Sequence, residues 1–385
     1  AHTTPVSIAD GKILSGAITV STGGSIKLGE TGTLASTVLM SGGKLEADNN
    51  LTLSGALTQA GNIDIHVAEN KTLSYSGAAV NIGARTLSMS GKGIFNNTNA
   101  LRLNNGSSKL RLSNTSTVNS VSTTANNSGV EVNESSTITS LAVGHTTPVS
   151  IAAGKTLSGA VTVTGGSIRL GMTGTLASNI SMSGGTLDAN NNMTISGALS
   201  HTGNITIDVY SNKTLTYSGT AINVGANTIT LSGGGSLVSG GMSLNNAQSK
   251  LLLNSITLDS ASTSANNSGV DVDDSSTITA LAVGHTTPVS IAAGKTLSGA
   301  VTVTGGSIKL GETGTLASTV TMSGGTLDAD ETLTHSGALS HTADITIDVA
   351  ENKILTYSGT AINVGANTIT LSGGGSLVSG GMSLN

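Results

Sequence analysis

The chain has 385 residues, with 16 basic against 21 acidic side chains, a net charge of −5 and no cysteine. Such a length would hold two or three ordinary domains. The sparse, slightly acidic charge supplies no basic stripe for nucleic acid, no apolar run is long enough for a transmembrane helix, and the lack of thiols excludes disulfides and cysteine metal sites.

In chain order the first element is "HTTPVSI" at His2, and it returns at His145 and His285. Around its second and third copies the identity widens: Gly144–Ile168 is repeated letter for letter as Gly284–Ile308. The three starts are almost evenly spaced and divide the chain into units 2–144, 145–284 and a partial unit 285–385. We read these as one continuous rod. The third unit stops partway, so the sequence is either a chain ending mid-unit or a window on a longer array. Asn212–Asn245 and Asn352–Asn385 differ only at Thr214 against Ile354. Surface positions match as well as interior ones, which points to recent duplication, with selection for a uniform outer surface as the alternative.

Inside the second unit, short bursts of polar–apolar alternation follow one another: Val161–Val163, Ile168–Leu170, Thr175–Ala177, Ile180–Met182, Thr186–Asp188, Met193–Ile195, Ala198–Ser200 and Ile205–Ile207. Three more come at Thr214–Thr216, Ile222–Val224 and Ile229–Leu231. Period two marks half-buried strands, and Gly-Gly, Ser-Gly and Asn-rich gaps mark turns. The five aromatic residues (Phe95, Tyr75, Tyr210, Tyr217, Tyr357) leave the core to Val, Ile, Leu, Ala and Met. No helical period is sustained, and the glycine and β-branched content opposes helix. Three bursts make roughly 20 residues, one turn of a solenoid. The expected fold is therefore all-β: a right-handed parallel β-helix (a β-solenoid), three-sided, with coils of roughly that length. At about 4.8 Å per stacked strand, some 19 coils would measure on the order of 90 Å.

The stretch "SGGTLDANNNMTISGALSHTGNITI" (Ser183–Ile207) resembles the β-helical stalks of bacterial autotransporter passengers and filamentous-haemagglutinin-type adhesins. The resemblance implies an extracellular location at the cell surface. It extends as a pattern over the whole chain, and no secretion domain or C-terminal barrel accompanies it.

Few residues offer chemistry. His145, Thr146 and Thr147 of "HTTPVSI" form either a polar contact or, with Pro148, a corner, since proline fixes φ and lacks a ladder donor. His201 and His341 share a position where the first unit has Gln59, which argues against a metal site, and His66 and His335 have no histidine counterparts. None has zinc spacing. "VDVDDSS" places Asp271 and Asp273 on one strand face and Asp274 at a turn, with Glu131, Asn133 and Glu134 in the first unit. They are either solvated turn carboxylates or a calcium site, the one cofactor the sequence suggests. Thr-x-Thr pairs (Thr162/Thr164, Thr214/Thr216, Thr228/Thr230, Thr277/Thr279) raise an ice-binding face, but recur at uneven spacings. Gly154-Lys155-Thr156 echoes the end of a phosphate loop without its first glycine. Asn-x-Ser/Thr sequons such as Asn70, Asn105, Asn179, Asn204 and Asn212 arise by chance in so Asn-rich a chain.

Catalysis by a polysaccharide-cleaving β-helix needs clustered charge and aromatic platforms, which this inventory does not supply, so no enzyme activity is expected. The expected role is a structural rod, filament, sheath or stalk that self-associates head to tail or laterally and contacts a host or matrix surface. It would neither bind nucleic acid nor insert into a membrane. The stalk of a larger adhesin is the alternative; an ice-binding or carbohydrate-active β-helix ranks behind it.

Overall fold

A computed structural model describes residues 2–384, and they separate into two compact units, 2–199 and 200–384. The division falls inside the second sequence repeat.

In unit 1 each coil has three sides, as in Ser25–Leu28, Thr33–Leu34 and Thr37–Met40, followed by Gly43–Ala47, Leu51–Leu53 and Leu57–Gln59. The named strands pair in parallel, each with the corresponding side of the next coil. The first side contributes ten strands, from Thr3–Val6 to Thr186–Ala189. Parallel crossovers of this kind wind to the right. Coil length varies: Arg169 lies against Asp188 in a short coil, and Asp64 against Ser88 in a longer one. In later coils the second and third sides merge into one bent strand: Thr117–Thr123, Ser136–Val143 and Thr156–Val163.

Unit 2 has the same section. Its first side runs through nine strands, from Ile205–Val209 to Ile369–Gly373, and its merged strands are Thr257–Thr263, Ser276–Val283 and Thr296–Val303. Among the described residues there is no helix.

Alternation explains the section. Every second residue of a strand points inward, and the in-register parallel ladder places it on its equivalent in the next coil. On the first side of unit 1 this builds the buried column Leu45–Ile65–Met89–Leu112–Val132–Ile151. In unit 2 the column is Ile205–Ile229–Leu251–Val270–Val289–Leu310–Ala329–Val349. At about 25 cal/mol per Å² of apolar surface removed from water, such columns are the main stabilising contribution. The few aromatics join them. Tyr75 is buried and stacks on Phe95 with ring centroids 5.9 Å apart, and its phenol donates to Ala78 O (2.5 Å) while accepting from Leu57 N (3.1 Å). Burial raises the Tyr75 pKa.

Corners are tight. The merged strand Thr296–Val303 bends at Gly299, where φ is +116° and a Cβ would lie 1.8 Å from Ile278 O; the ladder to the preceding coil shifts register there. Asparagine side chains substitute for ladder carbonyls at strand starts: Asn62 Oδ1 accepts from Thr86 N in unit 1 (2.9 Å), and Asn204 Oδ1 from Thr228 N in unit 2 (2.8 Å). Asparagine thus caps strand starts as well as filling turns.

Candidate functional site

The motif written three times resolves into a strand entry. His145 is exposed at the corner, Thr147 is buried, and Pro148 is the second residue of the strand Thr147–Ile151, half-buried and facing outward. The proline is thus not at the corner that its chemistry suggested. Lacking an N–H, it leaves the ladder to the preceding coil to begin at Val149, opposite Val130. Thr147 Oγ1 donates to Thr123 Oγ1 (2.8 Å), Thr146 N to Asn126 Oδ1 (3.1 Å), and Asn127 N to Thr146 O (2.7 Å). Unit 2 repeats the set with Thr287 on Thr263 (2.7 Å), Thr286 N on Asn266 (3.1 Å) and Asn267 N on Thr286 O (2.7 Å). The motif locks one coil onto the one before it.

Asp271 and Asp273 of "VDVDDSS" both face outward, on either side of the buried Val272, and Asp274 ends the strand. The strand Gly269–Asp274 bulges between Val272 and Asp274, which leaves Asp273 exposed. Asp271 pairs with Lys250 of the preceding coil. Asp274 Oδ1 accepts from Lys295 Nζ of the next coil (2.9 Å) and from Ser275 N (2.8 Å). The Lys295 bond, with help from that amide, holds the Asp274 carboxyl below the usual carboxylate range. A cation here would have to displace two ammonium groups. In unit 1 the corresponding carboxylates are likewise engaged: Glu131 with Lys109 and Arg111 (2.7 and 2.9 Å), and Glu134 with Lys155 (2.7 Å). Burial pushes the Glu131 pKa up, but the two cations prevail and lower it. Lys155, the lysine of the phosphate-loop echo, thus ends on a carboxylate. Among the described residues no three His, Asp or Glu side chains form a metal-ligating group.

These ion pairs lie mainly along the first side and link adjacent coils. Others are Lys27–Asp48 (2.8 Å) and Arg169–Asp188 (2.9 Å) in unit 1, and Lys309 with Asp328 and Asp330 (3.5 and 3.4 Å) in unit 2. Burial and the neighbouring Asp330 charge raise the Asp328 pKa against the opposing Lys309. Exposed pairs contribute at most about 1 kcal/mol each, so they tune coil register.

Each remaining histidine has its own setting. His66 Nδ1 lies 3.0 Å from Ser90 Oγ, which donates to Asp64 Oδ2 at 2.7 Å. With its proton held by the carboxylate, Ser90 stands between acid and imidazole, an order that does not activate a nucleophile. His201 uses both ring nitrogens on backbone carbonyls, Gly203 O (3.0 Å) and Asn223 O (2.9 Å); Gln59 likewise reaches Thr86 O (3.0 Å). His335 and His341 both belong to unit 2.

The Thr-x-Thr pairs fall on different sides of the coil. A threonine column absent from that reading is in register: Thr296–Thr315–Thr334–Thr356, one residue per coil. Variable coil length hid it in the sequence.

A cavity of about 610 Å³ opens on the first coil of unit 1 and is lined by Val6, Leu14, Ile18, Val20 and Ile26 among others. It is the open end face of that coil. The lining residues are the column residues that a further coil covers elsewhere.

No protein-family model matches this chain, and comparison with curated proteins and with solved structures returns no significant match. The fold defines the class: a parallel β-solenoid built from tandem repeats.

Proposed function

We propose that this chain is an extracellular structural protein, a solenoid element of a filament, sheath or stalk at a bacterial cell surface, with a role in adhesion or matrix building and no enzymatic activity. One observation carries the reading: a coil's stacking face recurs nearly unchanged, covered in one copy and open in another, so the same surface serves every addition. Side-chain columns and backbone ladders pass from coil to coil, giving stiffness without a specialised centre. An open coil face accepts another strand layer by β-augmentation, and a second copy of this chain supplies it end to end. Low charge on the second and third sides favours lateral contact.

Electron microscopy of the protein as isolated, without refolding, tests this. Filaments with an axial repeat of whole coils support assembly. Separate particles at all concentrations would reject it and favour the stalk of a larger adhesin. The threonine column supports an ice-binding face as a second reading, checked by thermal hysteresis.

A further inference from the structure

The segment 333–341 of unit 2 differs from the corresponding segment 51–59 of unit 1 at two inward-facing positions. Leu53 becomes His335, and Gln59 becomes His341. His335 is fully buried on the second side, between Leu316 and Tyr357 in the ladder. Its ring centroid is 5.2 Å from that of Tyr357. Nε2 lies 3.1 Å from Ser318 O and therefore carries the proton, while the bare Nδ1 is buried without a partner. His341 repeats the arrangement with the nitrogens exchanged. Nδ1 faces Ala343 O at 3.0 Å, and Nε2 is buried and unpartnered. Its ladder neighbour is Met322.

We propose that the coil containing Leu333–His341 is an acid-sensed opening point of unit 2, worked by the His335 imidazole. A second proton on the His335 ring would place a cation in the aliphatic column, with an N–H that has no acceptor; burying such a group unpaired is costly. Among the described residues packed against the rings, no anion is positioned to compensate. Inward on the first-side strands Thr326–Ala329 and Ile345–Val349 are Leu327, Ala329, Ile347 and Val349. The Tyr357 hydroxyl donates to Thr360 O and accepts from Leu339 N. The charged groups of these coils have partners of their own: Asp328 and Asp330 with Lys309, Glu331 with Lys353, and Asp348 with Ser372.

The direction follows from linkage. Burial lowers the His335 pKa from its ordinary 6.5, so opening takes up a proton. Stability of the closed coil is complete above about pH 6.5, falls as pH drops below it, and levels off below the closed-state pKa. The segment 51–59 lacks both imidazoles and supplies a control within the same chain.

Hydrogen exchange of the full chain between pH 7.5 and 5, corrected for intrinsic rates, tests the proposal. Opening of 333–341 is expected to rise up to about tenfold per pH unit below 6.5 relative to 51–59. H335L, which restores the residue found at position 53, should remove that rise. Parallel behaviour of the two segments in the wild-type chain would overturn the proposal, as would a pH dependence that survives in the H335L variant.

Discussion

Segments 212–244 and 352–384 carry the same sequence apart from Thr214 against Ile354, yet their interiors differ. Leu231 is 0 % exposed and its twin Leu371 55 %; Leu244 is 0 % exposed and Leu384 85 %. The strands Lys250–Asn254 and Thr257–Thr263 lie on the first segment and pair with Thr228–Ser232 and Met242–Leu244. Unit 1 shows the same contrast at its first coil, where Leu14 is 38 % exposed while Leu157, under a preceding coil, is sealed. With sequence held constant, burial is set by the neighbouring coil. Stability in each unit is therefore a sum over adjacent coils, and identical substitutions should cost different amounts in covered and open copies.

The largest contrast is expected from Leu231→Ala against Leu371→Ala. Removing the covered side chain leaves a cavity in a closed column and should cost about 2–5 kcal/mol. The open copy should lose less than about 1 kcal/mol. Chemical denaturation or local hydrogen exchange separates the two. Equal costs would show that the open face is covered in solution, which would itself support end-to-end assembly.

A second pair contrasts two glycines with positive φ in one coil. A Cβ on Gly299 would meet Ile278 O, whereas one on Gly294 meets nothing within 4 Å. Gly299→Ala should cost more than about 2 kcal/mol, because the strain adds to a backbone clash. Gly294→Ala should cost about 1 kcal/mol, the left-handed conformation alone. Equal thermal shifts would mean that coil spacing relaxes freely at this corner.

Much of this architecture was legible before any coordinates. Alternation at Ile205–Ile207 or Ile229–Leu231 gives a strand with one buried face, and a long repeat built from short, closely spaced bursts leaves little except a solenoid. Other features depend on register, which local sequence does not contain. Pro148 signalled a break in the ladder, but its place one residue inside the strand depends on which side of the coil Val130 occupies. Asp271 and Asp273 share the outward face that their strand spacing implies, but the lysines that engage Asp271 and Asp274, Lys250 and Lys295, come from the preceding and following coils. His335 and His341 were weighed as ligands because histidine prompts that question. Their inward direction follows from partners in the preceding coil, Ser318 and Met322.

Hydroxyls in the interior give a smaller contrast. Thr147 is buried against Thr123, while Thr4, its counterpart in the first coil, is exposed. Thr147→Val should cost about 1–2 kcal/mol, since it leaves the Thr123 hydroxyl short of a partner. Thr4→Val should be neutral by thermal melting, and a cost at Thr4 equal to that at Thr147 would again reveal a covering coil.

The smallest effect is expected at the outer ion pairs, where coil stacking is bridged by solvated groups. Asp274 has its carboxyl held low by Lys295, so its contribution is present above its ordinary value of 3.8 and is lost as pH falls through the lower folded value. Asp274→Asn should leave the melting temperature at pH 7 nearly unchanged in physiological salt and should flatten the acid limb below about pH 4. Asp273→Asn, one residue away on the exposed bulge, is the matched control. If Asp273→Asn flattened the limb equally, the acid sensitivity would belong to the summed negative charge of the segment, and the Lys295 bridge between coils would carry none of it.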